Sequence, residues 1–303
     1  MPVPNKLSSI GEFGFIRYLQ RHMEVKPSVV KGIGDDAAVV DLTSKQYLLL
    51  TTDMLMEGVH FTKKHLADRI GHKAMACNIS DIAAMGGAPQ YALVSLGISG
   101  QKTIDFARKL YQGMRRTAQK YGVCIVGGDT IQSRKTIINV SLTGVVDRKN
   151  LVTRDHAQVG DQIFVTGPLG RSYSTGHHLK FTPRLLESHF LVKNYRLNAM
   201  IDVSDGLASD LGHILDESRR GAVIYENQIP RRRGASIHEA LYDGEDFELI
   251  FTMSKQQAQK LKRHSQRYRF YPIGEITPQN QGFVMRRRNG AIAKILKKGY
   301  RHF

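Results

Sequence analysis

GIGDDAAVVDLTSKQYLLLTTD, residues 32–53, decides how the rest of the chain is read. Two apolar, partly β-branched runs, AAVVDL and YLLLTT, flank a Thr-Ser-Lys turn, which predicts two adjacent strands. A glycine turn with carboxylates precedes the first run, and Asp53 closes the second. An Asp beside a buried run must be hydrated, paired or bound to a cation, because burying a bare charge is very costly. The same association recurs in NISD (78–81), GGDT (127–130) and DVSDGL (202–207), as if carboxylates stood where buried strands end. Acidic residues are scarce, 27 against 44 Lys and Arg, so their placement is selective. Gathered carboxylates repel one another unless metal ions neutralise them, and the pattern reads as a magnesium site for phosphate chemistry.

Outward from this stretch, Ser9 and Glu12 predict a capping box for a helix reaching residue 22. A helix is expected over 66–84, with Leu66, Ile70, Ala74 and Cys77 on one face. Asp81 falls on that same core-facing stripe, which again suggests a cation nearby. YALVSLGI reads as a strand, 103–121 as a helix stopped by Gly122, and VCIV and TIINVSLTGVV as further strands. Residues 147–160 are polar and turn-rich and divide the chain into 1–148 and 149–303. After the boundary come strands QIFVTG and AMIDVS, separated by a polar segment with His and Pro. Asp205 opens a helix with Leu207, Leu211, Ile214 and Leu215 on its apolar face, and Gly221 ends it. AVIYE, FELIFTM, FYPIGEI and a final strand pair complete an α+β second half, with no internal repeat.

The 303 residues suffice for two domains with real cores, and 41% hydrophobic content excludes a disordered chain. The longest apolar stretch, 82–98, is broken by Gly86, Gly87, Pro89 and Gln90, so no bilayer span is expected. Residues 1–12 lack a signal-peptide core, and Cys77 and Cys124, both in apolar surroundings, read as reduced core residues of a cytoplasmic protein. The net charge of +17 suggests anionic partners. Its basic runs, at 231–233, 286–288 and 297–298, are short and scattered, with no interleaved aromatics. They read as solvated surface rather than a nucleic-acid platform.

Phosphoryl transfer needs its reactants held in line and the phosphate charge neutralised. Gly-rich turns let backbone N–H groups approach phosphate oxygens, and SDGL places Ser204 and Asp205 at a helix N-terminus, which favours a phosphate-metal unit. Arg154, in the linker, is placed to reach a phosphate. There is no Gly-Lys dipeptide and no HRD or DFG set, so ATP would sit in a metal–carboxylate cradle. His177-His178 reads as a solvated loop pair, whereas His60 closely follows the TTD segment and stands near the metals.

Taken in order, GIGDDAAVV, TTDMLMEGVHF, HKAMACNISDIAAMGGAP, VGGDT, IDVSDGL, DGEDFEL and GYRHF resemble the thiamine-monophosphate kinase family from about residue 11 to the end. The resemblance implies an α+β, two-domain fold of the aminoimidazole ribonucleotide synthetase type. Its N-terminal sheet domain (1–148) binds ATP and magnesium and pairs across a homodimer, and an α/β domain follows (149–303). It implies ATP-dependent phosphorylation of thiamine monophosphate to thiamine diphosphate with several magnesium ions. It places metal ligands at Asp35, Thr51, Thr52, Asp53, Asp81, Asp129, Asp202 and Asp205, of which Asp53, Asp129 and Asp205 carry catalysis. Tyr111, Gly128, Asp129, Arg154 and Ser204 fall where the family contacts ATP, although Tyr111 on an amphipathic helix also reads as core. His60, Glu245 and Tyr300 fall where the family contacts the thiamine substrate. Arg171 in GPLGRS stands where the family usually carries Asp, and Asp243 where Gly is common. Sister enzymes are the nearest rivals, but no Cys precedes Cys77, the chain ends without a Cys-bearing tail, and DMLMEGVHF replaces a DGVGTK-like turn.

Overall fold

The structure, a computed structural model, describes residues 6–264 and 267–300. Helix α1 (Gly11–His22) comes first, then the short strand β1 (Val29–Lys31). The expected capping box is not formed. Leu7–Ser9 coil into a 3₁₀ turn, which takes Ser9 out of the cap position and leaves it to Ile10. The two runs of the opening stretch form β2 (Ala38–Asp41) and β3 (Gln46–Met56), antiparallel neighbours as expected. Helix α2 (Ala67–Ala84), β4 (Ala88–Ile98), α3 (Ile104–Lys120), β5 (Cys124–Gln132) and β6 (Ile137–Asp147) complete the first half. Thr103 caps α3 by accepting from the Phe106 N–H.

The six strands form one sheet in the order β1-β2-β3-β6-β4-β5. β3 is longer than its apolar run suggests, because it pairs with β6 from Gln46 to Met56. Thr51, Thr52 and Asp53 are therefore mid-strand and not at a strand end, and Asp129 likewise lies within β5, paired to Ser95 of β4. The carboxylates here project from strand faces rather than strand ends. On one face the sheet buries Leu49, Val94, Val140 and Leu142 against Ile70, Ile79 and Ile82 of α2. On the other face Leu50, Met54, Tyr91 and Leu93 are exposed. Cys124 is exposed on edge strand β5, so only Cys77 is the buried thiol expected of both.

The second half holds β7 (Gln162–Val165), α4 (Leu185–Asn194), β8 (Ala199–Asp202), α5 (Leu207–Ser218), β9 (Gly221–Tyr225), α6 (Ile237–Tyr242), β10 (Leu249–Met253), α7 (Lys255–His264), β11 (Tyr271–Thr277), β12 (Phe283–Arg286) and β13 (Ile292–Lys294). Its seven strands are ordered β13-β12-β9-β11-β7-β10-β8. Leu207, Leu211, Ile214 and Leu215 do face the core, but α5 starts after Gly206 and stops at Ser218. Arg219 takes the left-handed cap conformation there, two residues before the expected stop at Gly221, which instead begins β9. α4, α6 and α7 escape a reading based on apolar runs, since each is short.

α2 joins the halves. Every residue from 73 to 84 except Asp81 is buried, the signature of a helix covered on all sides. Ala84 enters a core with Phe164, Met200 and Leu249, and the Ser188 hydroxyl donates to the Ala83 carbonyl at 2.6 Å. No helix among the described residues is long and apolar enough to cross a membrane.

Candidate active site

A cavity of about 820 Å³ opens where α2, β3 and the end of β8 meet. Two periodicities aim side chains into it. Along β3 alternate residues share a face, so Thr51 and Asp53 point toward α2 while Thr52 and Met54 point away. Along α2 positions four apart align, which stacks Lys73, Cys77 and Asp81 on the wall of the cavity. The loop before β2 supplies Asp35 and Asp36, the linker Arg154, and the segment after β8 Ser204 and Asp205. The 243–247 loop and Tyr300 close the far side.

Asp36, Asp81 and Asp202 converge, each offering a carboxylate oxygen within 4.8 Å of the others. Thr51 donates to Asp81 at 2.5 Å, and Ser80 to Asp202 at 2.6 Å. Arg154 binds Asp36 at 2.6 Å, and its backbone N–H reaches Asp35 at 3.2 Å. Arg154, Lys31 at 4.0 Å from Asp35, and Lys73, which is bound to Glu245, do not balance this many carboxylates. Burial, then Asp53, Asp202 and Asp36, hold Asp81 well above the usual carboxylate range. Burial, then Asp36, does the same to Asp202. Burial and the adjacent Asp36 push Asp35 up to about 7, burial pushes Asp53 up to about 6, and burial with Glu12 pushes Asp205 up to about 7. Such values describe carboxylates short of positive charge. An all-oxygen set of this density fits a hard divalent cation such as magnesium.

The structure thus gathers Asp35, Thr51, Thr52, Asp53, Asp81, Asp202, Asp205, Arg154, Ser204, His60, Glu245 and Tyr300 around one cavity, Thr52 with its hydroxyl turned away. Ser204 and Asp205 precede α5 rather than forming its first turn, and the N–H groups of Asp205 and Gly206 are taken by the Asp210 carboxylate at 3.1 and 3.0 Å. That helix end is already capped by an internal carboxyl group. The His60 ring accepts the Met56 N–H at 3.0 Å, and its carbonyl accepts from Lys73 at 3.0 Å. Glu245 is bound by Lys73, whose side chain is wholly buried.

Four expected residues stand elsewhere or face elsewhere. The Thr52 hydroxyl lies on the outer face of the sheet, bonded to Ser141 at 3.0 Å and Asn139 at 3.2 Å. Asp129 and Gly128 are exposed on edge strand β5, where the Asp129 carboxylate accepts the Thr130 N–H at 2.7 Å. Tyr111 is exposed rather than core and lines a second cavity of about 680 Å³, with Arg108, Arg115 and Cys124. His177-His178 is not a solvated pair either. His178 is fully buried, stacked on Tyr173, and burial lowers both imidazoles to about 4.

Sequence reasoning missed Asp36, Lys73 and Tyr173. Asp36 was legible as the second member of the Asp35-Asp36 doublet. Lys73 was legible too, since it stands four residues before Cys77 on the stripe that leads to Asp81. Tyr173 carries no local signal. The two departures from the family pattern meet in space: Arg171, in the left-handed region at φ 60°, donates its backbone N–H to Asp243 at 3.2 Å.

Known proteins resemble this chain over nearly its full length. The AIR synthase related protein N-terminal domain matches residues 34–146, and the C-terminal domain of the same family matches 158–287. Thiamine-monophosphate kinase of Buchnera aphidicola subsp. Acyrthosiphon pisum is 35% identical, over 96% of this chain and 98% of its own. The Aquifex aeolicus enzyme of that name is 33% identical, over 98% and 100%. A solved structure, AaThiL complexed with AMPPCP and TMP, superposes with a TM-score of 0.87 at 32% identity, covering 100% of both chains.

Proposed function

This chain belongs to the thiamine-monophosphate kinase family, and from that premise we propose that it transfers the γ-phosphoryl group of ATP to thiamine monophosphate, giving thiamine diphosphate and ADP. The observation that carries this reading is the full-length likeness to a relative solved with AMPPCP and TMP, which in this family we take as thiamine monophosphate. The cavity supports it, being polar along one wall and aromatic at the other end.

The carboxylates of Asp36, Asp81 and Asp202, with Asp35, Asp53 and Asp205 around them, are the residues that would hold magnesium. Bound there, magnesium supplies the positive charge that phosphate groups need as they approach one another. Arg154 fixes the Asp35-Asp36 loop and extends the same positive charge toward a nucleotide phosphate. Ser204 lines the same wall. Thr52, Gly128 and Asp129 lie on or beside the open face of the first sheet, and we read them, with Tyr111, as entering the complete site through a second copy that covers that face. His60 flanks the acceptor phosphate, while Glu245 and Tyr300 border the ring system.

No general base is required, because a phosphate oxygen of the acceptor is already a nucleophile near neutral pH. That oxygen forms the new P–O bond as the bond between the γ-phosphorus and the β–γ bridging oxygen breaks, with no phosphoenzyme. Incubation with ATP, magnesium and thiamine monophosphate should yield thiamine diphosphate and ADP in equal amounts. No thiamine diphosphate, or a phosphorylated protein on the productive path, overturns the corresponding part of the reading.

A further inference from the structure

The carboxylate expected to balance a cationic ring in the cavity is already committed. Glu245 is bound to the ammonium of Lys73, which is wholly buried and also donates to the His60 carbonyl at 3.0 Å. A quaternary ring nitrogen arriving in the cavity therefore finds little uncompensated negative charge at Glu245. An aromatic face is another means of holding such a cation. Tyr300 offers one, and a second ring, Tyr173, lines the same cavity.

Tyr173 is 41% exposed, which leaves it open to the cavity, but its ring is held in place. Its ring stacks on that of His178, with centroids 4.4 Å apart and planes within 14°. His178 is fully buried, and its Nδ1 lies 3.2 Å from the Ser172 carbonyl. The His65 ring meets both at an edge, at 6.4 Å from Tyr173 and 5.5 Å from His178. The neighbouring Ser172 hydroxyl donates to the Glu245 carbonyl at 2.5 Å, so the loop bearing Tyr173 is tied directly to the 245 loop. Burial keeps both histidines below their usual range, so the ring behind Tyr173 is a neutral one that does not repel a cation.

We propose that Tyr173 is a specificity-determining residue of the acceptor subsite, giving with Tyr300 the aromatic surface that binds a planar cationic heterocycle. This rests on the acceptor being thiamine monophosphate, whose thiazolium carries that charge. Tyr173→Ala should raise the KM for thiamine monophosphate about tenfold while the KM for ATP, kcat and Tm hold within about twofold or a few degrees. Tyr173→Phe should keep the acceptor KM within about twofold, since the ring does the binding. The sequence has no Trp, so Tyr173→Trp introduces a single indole whose fluorescence thiamine monophosphate should quench, without any need for turnover. An unchanged acceptor KM in a folded Tyr173→Ala protein overturns the proposal. So do an indole that thiamine monophosphate does not quench, and equal rises in both KM values with a large fall in Tm. Quenching in a protein that makes no thiamine diphosphate would sink the assigned reaction and leave the subsite standing.

Discussion

Asp36 shows how much one carboxylate can carry. It is the residue through which Arg154 reaches the cluster, at 2.6 Å, and it supplies one of the three oxygens that lie within 4.8 Å of one another. Asp36→Asn keeps the shape and one hydrogen-bond acceptor but removes a charge from the cation's surroundings. We expect kcat to fall about 10²–10³-fold with the fold intact, and Asp36→Asn combined with Asp202→Asn to be much less than multiplicative, because groups that act as a unit do not add. Steady-state kinetics at saturating magnesium check this. Near-normal turnover of Asp36→Asn would remove it from the machinery.

At the scale of elements, the placement of α2 matters most, because it carries Lys73, Cys77 and Asp81 and touches both halves. Its neighbour α3 lies unusually close. A Cβ added at Gly71 would sit 2.0 Å from the Leu110 carbonyl oxygen, and one at Gly113 would sit 1.9 Å from the Asp68 carbonyl oxygen. The two helices thus meet backbone to backbone, each glycine leaving the place of its side chain to a main-chain carbonyl of the other helix. Gly113→Ala must push α2 and α3 apart, and we expect it to cost about 1–3 kcal/mol, read from the urea midpoint. Since α2 also orients Asp81, activity should fall as well. An alanine variant as stable and active as the parent would show that the contact relaxes freely.

For the whole molecule two quantities remain open to test. The first sheet leaves Leu50, Met54, Tyr91 and Leu93 on an uncovered face. We expect a second copy to cover it across a two-fold axis, bringing Thr52 and Asp129 into a shared site. Sedimentation at micromolar concentration should show a dimer, and Leu93→Asp should give monomers with little activity; a fully active monomer contradicts the shared site. The second quantity is pH. Burial and the adjacent Asp36 push the Asp35 carboxyl from an ordinary 3.8 up to about 7, so between these values the folded state keeps protons that the unfolded state releases. Stability then falls as pH rises through this window, and the full penalty stands above it. With a chelator present, Tm should be lower at about pH 7.5 than at about pH 5. Magnesium should raise Tm more at the higher pH, where the carboxylates are bare. An equal rise at both, followed by differential scanning, would show that the cluster does not hold the ion.

Sequence periodicity and composition were enough to find β2 and β3, the long core helix and most of the carboxylates that line the cavity. Each of those is a local matter: an apolar period, a glycine stop, an Asp beside a buried run. Asp81 was placed correctly by helical geometry alone, and the same geometry would have placed Lys73. The tertiary structure decided what local pattern has no means to express. Ladder pairing with β6 moved the Thr51-Thr52-Asp53 segment from a strand end into mid-strand, and alternation then sent Thr52 to the opposite face from its neighbours. Burial of His178 under Tyr173, and the capture of Glu245 by Lys73 172 positions away in the chain, depend on loops that meet only when the two halves dock on α2. Such contacts follow from which surfaces exclude water together, and that is a property of the folded assembly of elements rather than of any one of them.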